Sequence, residues 1–265
     1  MTNENSYPSR IVCMTEESVE FFHGIGRSDV IAGVSAYAVR PSGVSQHPVV
    51  SAFTHANIKK ITALNPDLIL GFSDIQKDIA QELIGLGLDV YISNQRSIKD
   101  ILRYLKVIGG MIGEQQKTEA YIASLLEKIN YAKIEAKNFH FRPKVYIEEW
   151  NDPRICGIKW FSELVELCGG EDIFAEKSHF GSLAKDRFVS SEEIIKLNPD
   201  IILACWCGKK VDLNDFNLRV GWSTIKAVEM GQVFELAPEI FLQPGPAPIL
   251  EGIDTLLNLF KQLNS

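Results

Sequence analysis

The sequence lacks any uninterrupted apolar run of the roughly 20 residues that a membrane-spanning helix requires, which excludes a helical membrane protein. Basic residues are outnumbered, because 27 Lys and Arg stand against 34 Asp and Glu, giving a net charge of −7. That balance provides no positive field for a phosphate backbone, so nucleic acid is not expected as a partner. Cysteine is scarce as well, with five in 265 residues. An odd number in a chain of this length does not predict a disulfide framework and favours a reducing compartment.

The first ten residues also lack the apolar core of a secretory signal. Together with the cysteine usage, this predicts a cytoplasmic location for the chain as given. A periplasmic or extracellular location is expected instead if the N-terminus has been trimmed.

Enzyme signatures are missing from the sequence too. It has no nucleophile elbow, no phosphate-binding loop of the Gly-x-x-x-x-Gly-Lys type and no paired His–Glu metal motif. Gly24-Ile25-Gly26 closes a predicted helix instead of opening one, so it does not match a dinucleotide-binding fingerprint. We therefore expect a non-enzymatic protein with no catalytic cofactor. The alternative is acid–base chemistry at the carboxylates Glu148, Glu149 and Asp152, which otherwise bind ligand amides or cap the next segment.

What the sequence does contain is an internal repeat. Leu64-Asn65-Pro66-Asp67 recurs as Leu197-Asn198-Pro199-Asp200, half a chain away. Pro cannot continue a helix and moves the preceding Asn out of the α region, so each copy predicts a helix, a turn and then a short buried strand. Ser190 and Glu193 have the spacing of a capping box at the start of the second helix. Strands at residues 10–14 and 144–148 occupy matching places in the two halves, which predicts a parallel sheet in each.

Residues 114–137 contain neither Gly nor Pro and carry apolar residues at helical spacing, which predicts one long helix between the halves. Although the length also allows a single large domain, the repeat favours an N-terminal α/β lobe at residues 1–113, a linking helix at 114–138 and a C-terminal α/β lobe at 139–265.

Aromatic residues follow or adjoin the predicted strands. Because ligands of parallel α/β sheets bind outside the carboxyl ends of the strands, these residues predict the walls of an aromatic ligand cleft between two lobes. The alternative is that they are core residues, as aromatics commonly are. Trp160 opens a predicted helix and is the candidate most expected to pack inward. The set comprises Tyr37, Phe53, Phe72, Trp150, Trp160, Trp206 and Phe241.

Several stretches resemble one known class. They include Arg10-Ile11-Val12, the Ala-Gly of Ala32-Gly33, and residues 162–174, which read Ser-Glu-Leu-Val-Glu-Leu-Cys-Gly-Gly-Glu-Asp-Ile-Phe. The chain is similar to the ABC-importer periplasmic-binding-protein class whose two lobes are joined by one helix and whose ligands are cobalamins, siderophores and haem. The resemblance implies an α/β fold of two lobes with parallel central sheets, class III of the periplasmic binding proteins, linked by one long helix.

Three further stretches are similar to the cobalamin-binding members: residues 148–153, Cys207-Gly208, and Gln243-Pro244-Gly245-Pro246. They imply that Gly245 lies at the ligand. Members commonly carry Arg after the Gly-Pro of the last motif, where this chain has Ala247, and polar or thiol side chains near position 41, where it has residues 36–40. These departures bear on the ligand and not on the fold.

The function that the resemblance implies is binding of a cobalamin in an aromatic cleft, as the substrate-binding component of an ABC transporter or a relative of one. The alternatives are a siderophore or haem binding protein, or a cytosolic corrinoid chaperone or enzyme. His55, Cys205 and Cys207 are the candidate axial ligands to a bound metal centre, although solvated histidines and buried thiols are commoner. In the family, one acidic residue per lobe docks on the permease, which points to Asp74 or Asp78 and to Asp212 or Asp215.

Overall fold

The computed structural model describes residues 7–181 and 183–264, and the chain divides into two compact units. The first unit comprises the chain up to Gln95, together with Lys99–Leu125 and Pro244–Pro246. The second unit comprises Arg96–Ile98, Leu126–Gln243 and the chain from Ala247 onward. The predicted boundaries at residues 113 and 138 stay a prediction.

The first unit is built on a sheet of six strands within the described residues, in the order β4-β3-β2-β1-β5-β6. All neighbours are parallel except β3 and the edge strand β4. β5 is buried along its whole length, which explains its continuous apolar sequence. The strands are Ile11–Cys13 (β1), Ile31–Ser35 (β2), Val49–Ala52 (β3), His55–Ala56 (β4), Leu68–Phe72 (β5) and Val90–Ser93 (β6).

Helices alternate with these strands, as the sequence predicts. They are Glu16–Gly24 (α1), Ile58–Ala63 (α2), Lys77–Gly85 (α3) and Ile98–Met111 (α4). The long helix predicted at residues 114–137 is confirmed as Gln115–Ala136 (α5). Its residues up to Leu125 belong to the first unit and those from Leu126 onward to the second.

The second unit has a smaller mixed sheet, with the order β11-β10-β7-β8 and β9 paired to β7. β7 runs parallel to β10 and β9 and antiparallel to β8. Its strands are Lys144–Asn151 (β7), Arg154–Cys156 (β8), Glu171–Asp172 (β9), Ile201–Ala204 (β10) and Val233–Glu235 (β11). Its helices are Lys159–Leu167 (α6), Ala175–Phe180 (α7), Ser191–Leu197 (α8), Asp215–Leu218 (α9), Lys226–Glu229 (α10), Pro238–Phe241 (α11) and Ile253–Leu263 (α12).

Both copies of the Leu-Asn-Pro-Asp repeat fold as predicted, each linking a helix to a buried strand. The Asn before the Pro adopts a left-handed conformation in each, with φ of 46° at Asn65 and 47° at Asn198. The capping box is confirmed, because the Glu193 amide donates to Ser190 Oγ and the Ser190 amide donates to the Glu193 carboxylate. The matching α2 has a different cap, in which Asn57 Oδ1 accepts from the Lys60 amide.

Each unit has its own apolar core. The first packs Val12, Met14 and Ile69 against Ile61 and Leu83. The second is richer in aromatic rings and includes Tyr146, Phe174, Trp206, Phe216 and Trp222. No helix in the described part of the chain combines the length and apolar character needed to cross a membrane.

Candidate functional site

In the first unit the order of the strands reverses at β1, which has β2 on one side and β5 on the other. One buried side chain joins the carboxyl ends of β1, β3 and β5. Gln76 Nε2 donates to the backbone oxygens of Met14 (3.3 Å) and Phe53 (2.8 Å), and its Oε1 accepts from the Phe72 amide (2.9 Å). Gln76 therefore fixes the loops that follow three strands, at the edge of the sheet where ligands bind in such folds.

Two predicted wall residues of this unit lie together at that edge. The rings of Tyr37 and Phe53 meet edge to face with centroids 6.5 Å apart, and 45% of Tyr37 is exposed. Phe53 has a φ of 46°, a left-handed conformation that is costly for a bulky residue and tends to occur at functional sites. The third, Phe72, is only 5% exposed and packs in the interior. Tyr37 and Phe53 thus form the accessible aromatic pair of the first unit.

A buried carboxyl group lies beside this edge, and sequence reasoning missed it. Glu17 is 1% exposed, its Oε1 accepts from Thr15 Oγ1 (2.8 Å) and Gln95 Nε2 (3.4 Å), and its Oε2 has no partner. Burial, with a smaller contribution from the charge of Glu16, raises the pKa of Glu17 to about 8. Gln95 Nε2 also donates to the backbone oxygen of Pro244 (3.3 Å), next to the predicted ligand residue Gly245, which is itself buried.

In the second unit a fully buried carboxylate, Glu148 on β7, meets a buried arginine. Arg219 donates two hydrogen bonds to it in a fork, Nη1 to Oε2 at 2.6 Å and Nη2 to Oε1 at 2.9 Å. The same carboxylate accepts from Trp206 Nε1 (3.2 Å) and Tyr146 OH (3.1 Å). Burial lowers the pKa of Arg219, but its hydrogen bonds to Glu148 outweigh this and leave that pKa raised. Arg219 was not among the predicted residues, since it is 71 residues from its partner.

Trp150 and Trp206 share a cationic neighbour. The Lys209 ammonium lies 5.9 Å from the Trp150 ring centroid and 5.0 Å from that of Trp206, within cation–π range. Trp206 itself is 1% exposed and Trp150 is half-buried, with its Nε1 donating to the Asp152 backbone oxygen. Of these three residues, Trp150 and Lys209 are therefore accessible and Trp206 is buried.

The remaining two predicted aromatic residues, Trp160 and Phe241, are buried, and a hydrogen bond joins them. Trp160 is 2% exposed, as expected for a residue opening α6, and its Nε1 donates to the Phe241 backbone oxygen at 2.9 Å. Phe241 is 1% exposed and stacks on Phe161 with centroids 4.9 Å apart. Trp160, Phe241, Phe72 and Trp206 are thus interior residues in this structure, and contact of any of them with a ligand stays a prediction.

The carboxylates considered for acid–base chemistry have structural contacts. Glu148 is held by Arg219, and Glu149 accepts from Arg187 Nη1 (2.6 Å) and from the amide of Ile158, the residue before α6. Glu149 thus caps the next segment, which was one of its two predicted roles.

The candidate axial ligands have contrasting environments. His55 is exposed on β4, and its Nδ1 lies 2.9 Å from Thr54 Oγ1. Cys205 is fully buried, which raises its thiol pKa well above the ordinary value, whereas Cys207 is exposed. Both thiols lie beyond the end of β10 at Ala204, so strand alternation does not determine which of them is exposed. Within residues 7–181 and 183–264, no cluster of three or more His, Cys, Asp or Glu side chains could hold a metal ion.

The predicted docking residues are at the surface to different degrees. Asp74 and Asp78 are exposed around the start of α3, and Asp212 is exposed in the second unit. Asp215 is half-buried, because its Oδ2 accepts from Arg219 Nε (3.2 Å) and Nη2 (3.0 Å). Asp212 is thus the more exposed of the two candidates in the second unit, and docking stays a prediction.

Two α/β units, each built on a largely parallel sheet with aromatic side chains at the carboxyl ends of its strands, define a class of ligand-binding proteins. The sequence profile described as "Periplasmic binding protein" matches residues 11–240. The chain belongs to the periplasmic binding protein family, which consists of substrate-binding components of transporters.

Two curated proteins are similar to this chain in sequence. An uncharacterized ABC transporter substrate-binding lipoprotein of Bacillus subtilis is 24% identical over 258 residues, which cover 94% of this chain and 79% of the relative. A vitamin B12-binding protein of Yersinia pestis is 25% identical over 212 residues, covering 77% of this chain and 71% of the relative. The resemblance predicted from the sequence is thereby confirmed.

A solved structure confirms the fold. The periplasmic heme-binding protein RhuT of Roseiflexus sp. RS-1, in its apo form, superposes with a TM-score of 0.81 over 96% of this chain and 98% of its own, at 18% identity. The predicted α/β, class III periplasmic-binding-protein fold is therefore correct. The predicted cytoplasmic location gains no support from these relatives, one of which is a lipoprotein.

Proposed function

We propose that the chain is the cobalamin-binding component of an ABC importer and that aromatic side chains at the carboxyl ends of its strands bind the corrinoid. One observation carries the proposal: each unit has accessible aromatic side chains near the carboxyl ends of its strands, Tyr37 with Phe53 in the first and Trp150 in the second. The vitamin B12-binding relative supports the choice of ligand.

The chemistry of these groups suits a broad, mostly apolar macrocycle. Burial of apolar surface contributes about 25 cal/mol per Å², so flat aromatic contacts on a large ring account for affinity without covalent bonds. Lys209 adds a positive charge beside Trp150. Cobalamin carries a phosphodiester in its nucleotide loop, and an ammonium resting on aromatic rings is suited to an anionic oxygen of that kind.

The proposed role is binding alone, with no catalytic cofactor. Membership of a family of substrate-binding proteins supports this, as does the commitment of Glu148 and Glu149 to arginine pairs. Cobalt is expected to keep its own axial ligands, because the buried Cys205 thiol stays protonated. Docking on a permease is assigned to Asp74 or Asp78 and to Asp212, exposed carboxylates suited to arginines on a partner.

Haem is the second candidate. The exposed phenol of Tyr37 is a group that ligates haem iron, and Lys209 could meet a propionate as well as a phosphate. The structural likeness to a heme-binding protein shows the fold alone.

An absorbance titration with cyanocobalamin and aquocobalamin tests the proposal. We expect saturable one-to-one binding of both, weakened at least about tenfold by Trp150→Ala, which removes an accessible ring. An aquocobalamin spectrum unchanged by binding is expected if no side chain reaches cobalt, whereas a shift abolished by His55→Ala would identify an axial imidazole. Failure of both corrinoids to bind would overturn the cobalamin assignment.

A further inference from the structure

The second unit contains a column of cationic and aromatic side chains in contact that runs from its surface into its core. Lys209 lies 5.0 Å above the Trp206 ring, which stacks on Phe216 at 6.3 Å with an interplanar angle of 23°. The Arg219 guanidinium lies 4.1 Å from the Phe216 centroid and 4.4 Å from that of Trp222. Arg219 thus lies in the corner between two rings that meet edge to face with centroids 5.8 Å apart, and only 8% of its side chain is exposed.

The buried end of the column is fixed to the sheet. Glu148 belongs to β7, and both its oxygens are shared between Arg219 and a second donor. Oε1 accepts from Arg219 and from the Trp206 indole, whereas Oε2 accepts from Arg219 and from the Tyr146 hydroxyl. The carboxylate therefore has four donors and the guanidinium has a rigid partner, which is the condition under which a buried ion pair is tolerated.

The Arg219–Glu148 pair contacts the segment between Ala204 and Trp222, which has little regular secondary structure. Between the end of β10 at Ala204 and Trp222, the only helix in the described residues is the four-residue α9. Cys205 is joined to β7 by its backbone, since its amide donates to the Glu148 carbonyl oxygen at 2.9 Å. Beyond that point the Trp206 side chain contacts Glu148 and Phe216, both partners of Arg219, and the backbone is next tied to the sheet where the Val211 amide donates to Glu235 Oε1 at 2.9 Å.

We infer that Arg219 is a positioning residue for ligand binding: without touching the ligand, it sets the orientation of residues 206–209 through Phe216 and Glu148. The inference rests on the proposed function, because residues 206–209 are placed there at the ligand. Lysine could not replace Arg219, since a single ammonium offers neither the two-pronged fork nor the flat stacking surface of a guanidinium.

The experiment separates positioning from mere stability with three variants. Arg219→Met leaves the Glu148 charge buried and unpaired, so we expect a large loss of thermal stability. Arg219→Met combined with Glu148→Gln removes both charges, and replacing a buried pair by uncharged groups is often neutral for stability. Asp215→Asn is the matched control, because it removes only the more exposed carboxylate partner of the same arginine. Each variant is titrated with cyanocobalamin, melted, and examined by hydrogen exchange of the free protein at residues 205–210.

We expect the double variant to regain most of the lost melting temperature, yet to bind cyanocobalamin about 10- to 100-fold more weakly than the wild type. Its amides at residues 206–210 exchange faster, and Asp215→Asn remains close to wild type in all three measurements. A double variant with wild-type affinity, or one with unchanged exchange at residues 206–210, would overturn the inference.

Failure of the proposed function has a different signature. If the wild-type protein binds neither cobalamin nor haem, the ligand assignment is wrong, and hydrogen exchange alone then decides the role of Arg219. Faster exchange confined to residues 206–210 in the stable double variant supports positioning, and unchanged exchange rejects it.

Discussion

At the scale of single residues, Glu17 has the most unusual environment of the groups near the candidate ligand edge. In the unfolded chain its carboxyl group ionises near the ordinary pKa of 4.5, whereas in the folded protein burial raises that pKa to about 8. Between these values the folded protein holds a proton that the unfolded chain has lost. The free energy of unfolding therefore decreases as the pH rises through this window, by up to about 1.4 kcal/mol per pH unit for one such group.

Glu17→Gln tests this assignment. Glutamine matches the neutral acid in shape, and its oxygen can still accept from Thr15 and Gln95, so we expect the variant to lose that part of the pH slope and to exceed the wild type in stability above pH 8. Urea unfolding between pH 5 and 9 measures it, with the exposed Glu82→Gln as control. The same pH slope in Glu17→Gln and wild type would contradict a raised pKa.

Lys209 is the second residue whose role a single substitution can test. If its ammonium meets the phosphodiester of cobalamin, Lys209→Gln weakens cobalamin binding several-fold, by the roughly 1 kcal/mol or more of a charge-assisted hydrogen bond. Binding of a corrinoid without the nucleotide loop is then insensitive to the change. The neighbouring exposed Lys210→Gln is the matched control. Equal losses for both corrinoids would assign Lys209 to general packing instead.

The sequence says little about which aromatic side chains are accessible. Tyr37 and Trp206 both lie near strand ends, yet 45% of Tyr37 is exposed and only 1% of Trp206. An aromatic residue stabilises a core or a ligand surface by the same burial of apolar area, so its identity cannot distinguish the two. The residues around Arg219 do not indicate its role either, because Arg219 and its partner Glu148 are 71 residues apart and meet only in the folded chain.

At the scale of elements, the repeated Leu-Asn-Pro-Asp segments were predictable because all their determinants are local. Proline ends the helix, asparagine tolerates the left-handed turn, and the apolar run that follows can only be a buried strand at that length. The antiparallel strands β4 and β8 were not predicted, since two or three residues leave too short a pattern to read.

The N-terminal caps of α2 and α8 can be tested by substitution. Ser190→Ala removes the acceptor of the Glu193 amide at the start of α8, and Asn57→Ala removes that of the Lys60 amide at the start of α2. Each is expected to lower the free energy of unfolding by about 1 kcal/mol. Ser124→Ala, on the exposed middle of α5, is expected to change it by less than about 0.5 kcal/mol. Denaturant unfolding measures all three, and a Ser190→Ala value no larger than the Ser124 control would contradict the cap.

At the scale of the whole molecule, the fold indicates a class of ligand-binding proteins, whereas individual side chains determine which ligand is bound. Proteins of one fold carry different ligands because the binding residues lie on loops beyond the strands. The curated relative is a vitamin B12-binding protein, whereas the protein of similar fold from Roseiflexus is a heme-binding protein. In this chain, the proposed binding residues Tyr37, Phe53, Trp150 and Lys209 are therefore the ones whose substitution is expected to distinguish between the ligands.

The most direct test of the cobalamin assignment is calorimetry of the wild-type protein with cyanocobalamin, haem and a ferric siderophore under one set of conditions. We predict one-to-one binding of cyanocobalamin at least about tenfold tighter than either competitor, with the negative heat-capacity change that burial of apolar surface produces. Tighter binding of haem or of the siderophore, with cyanocobalamin displaced or not bound at all, would contradict the assignment.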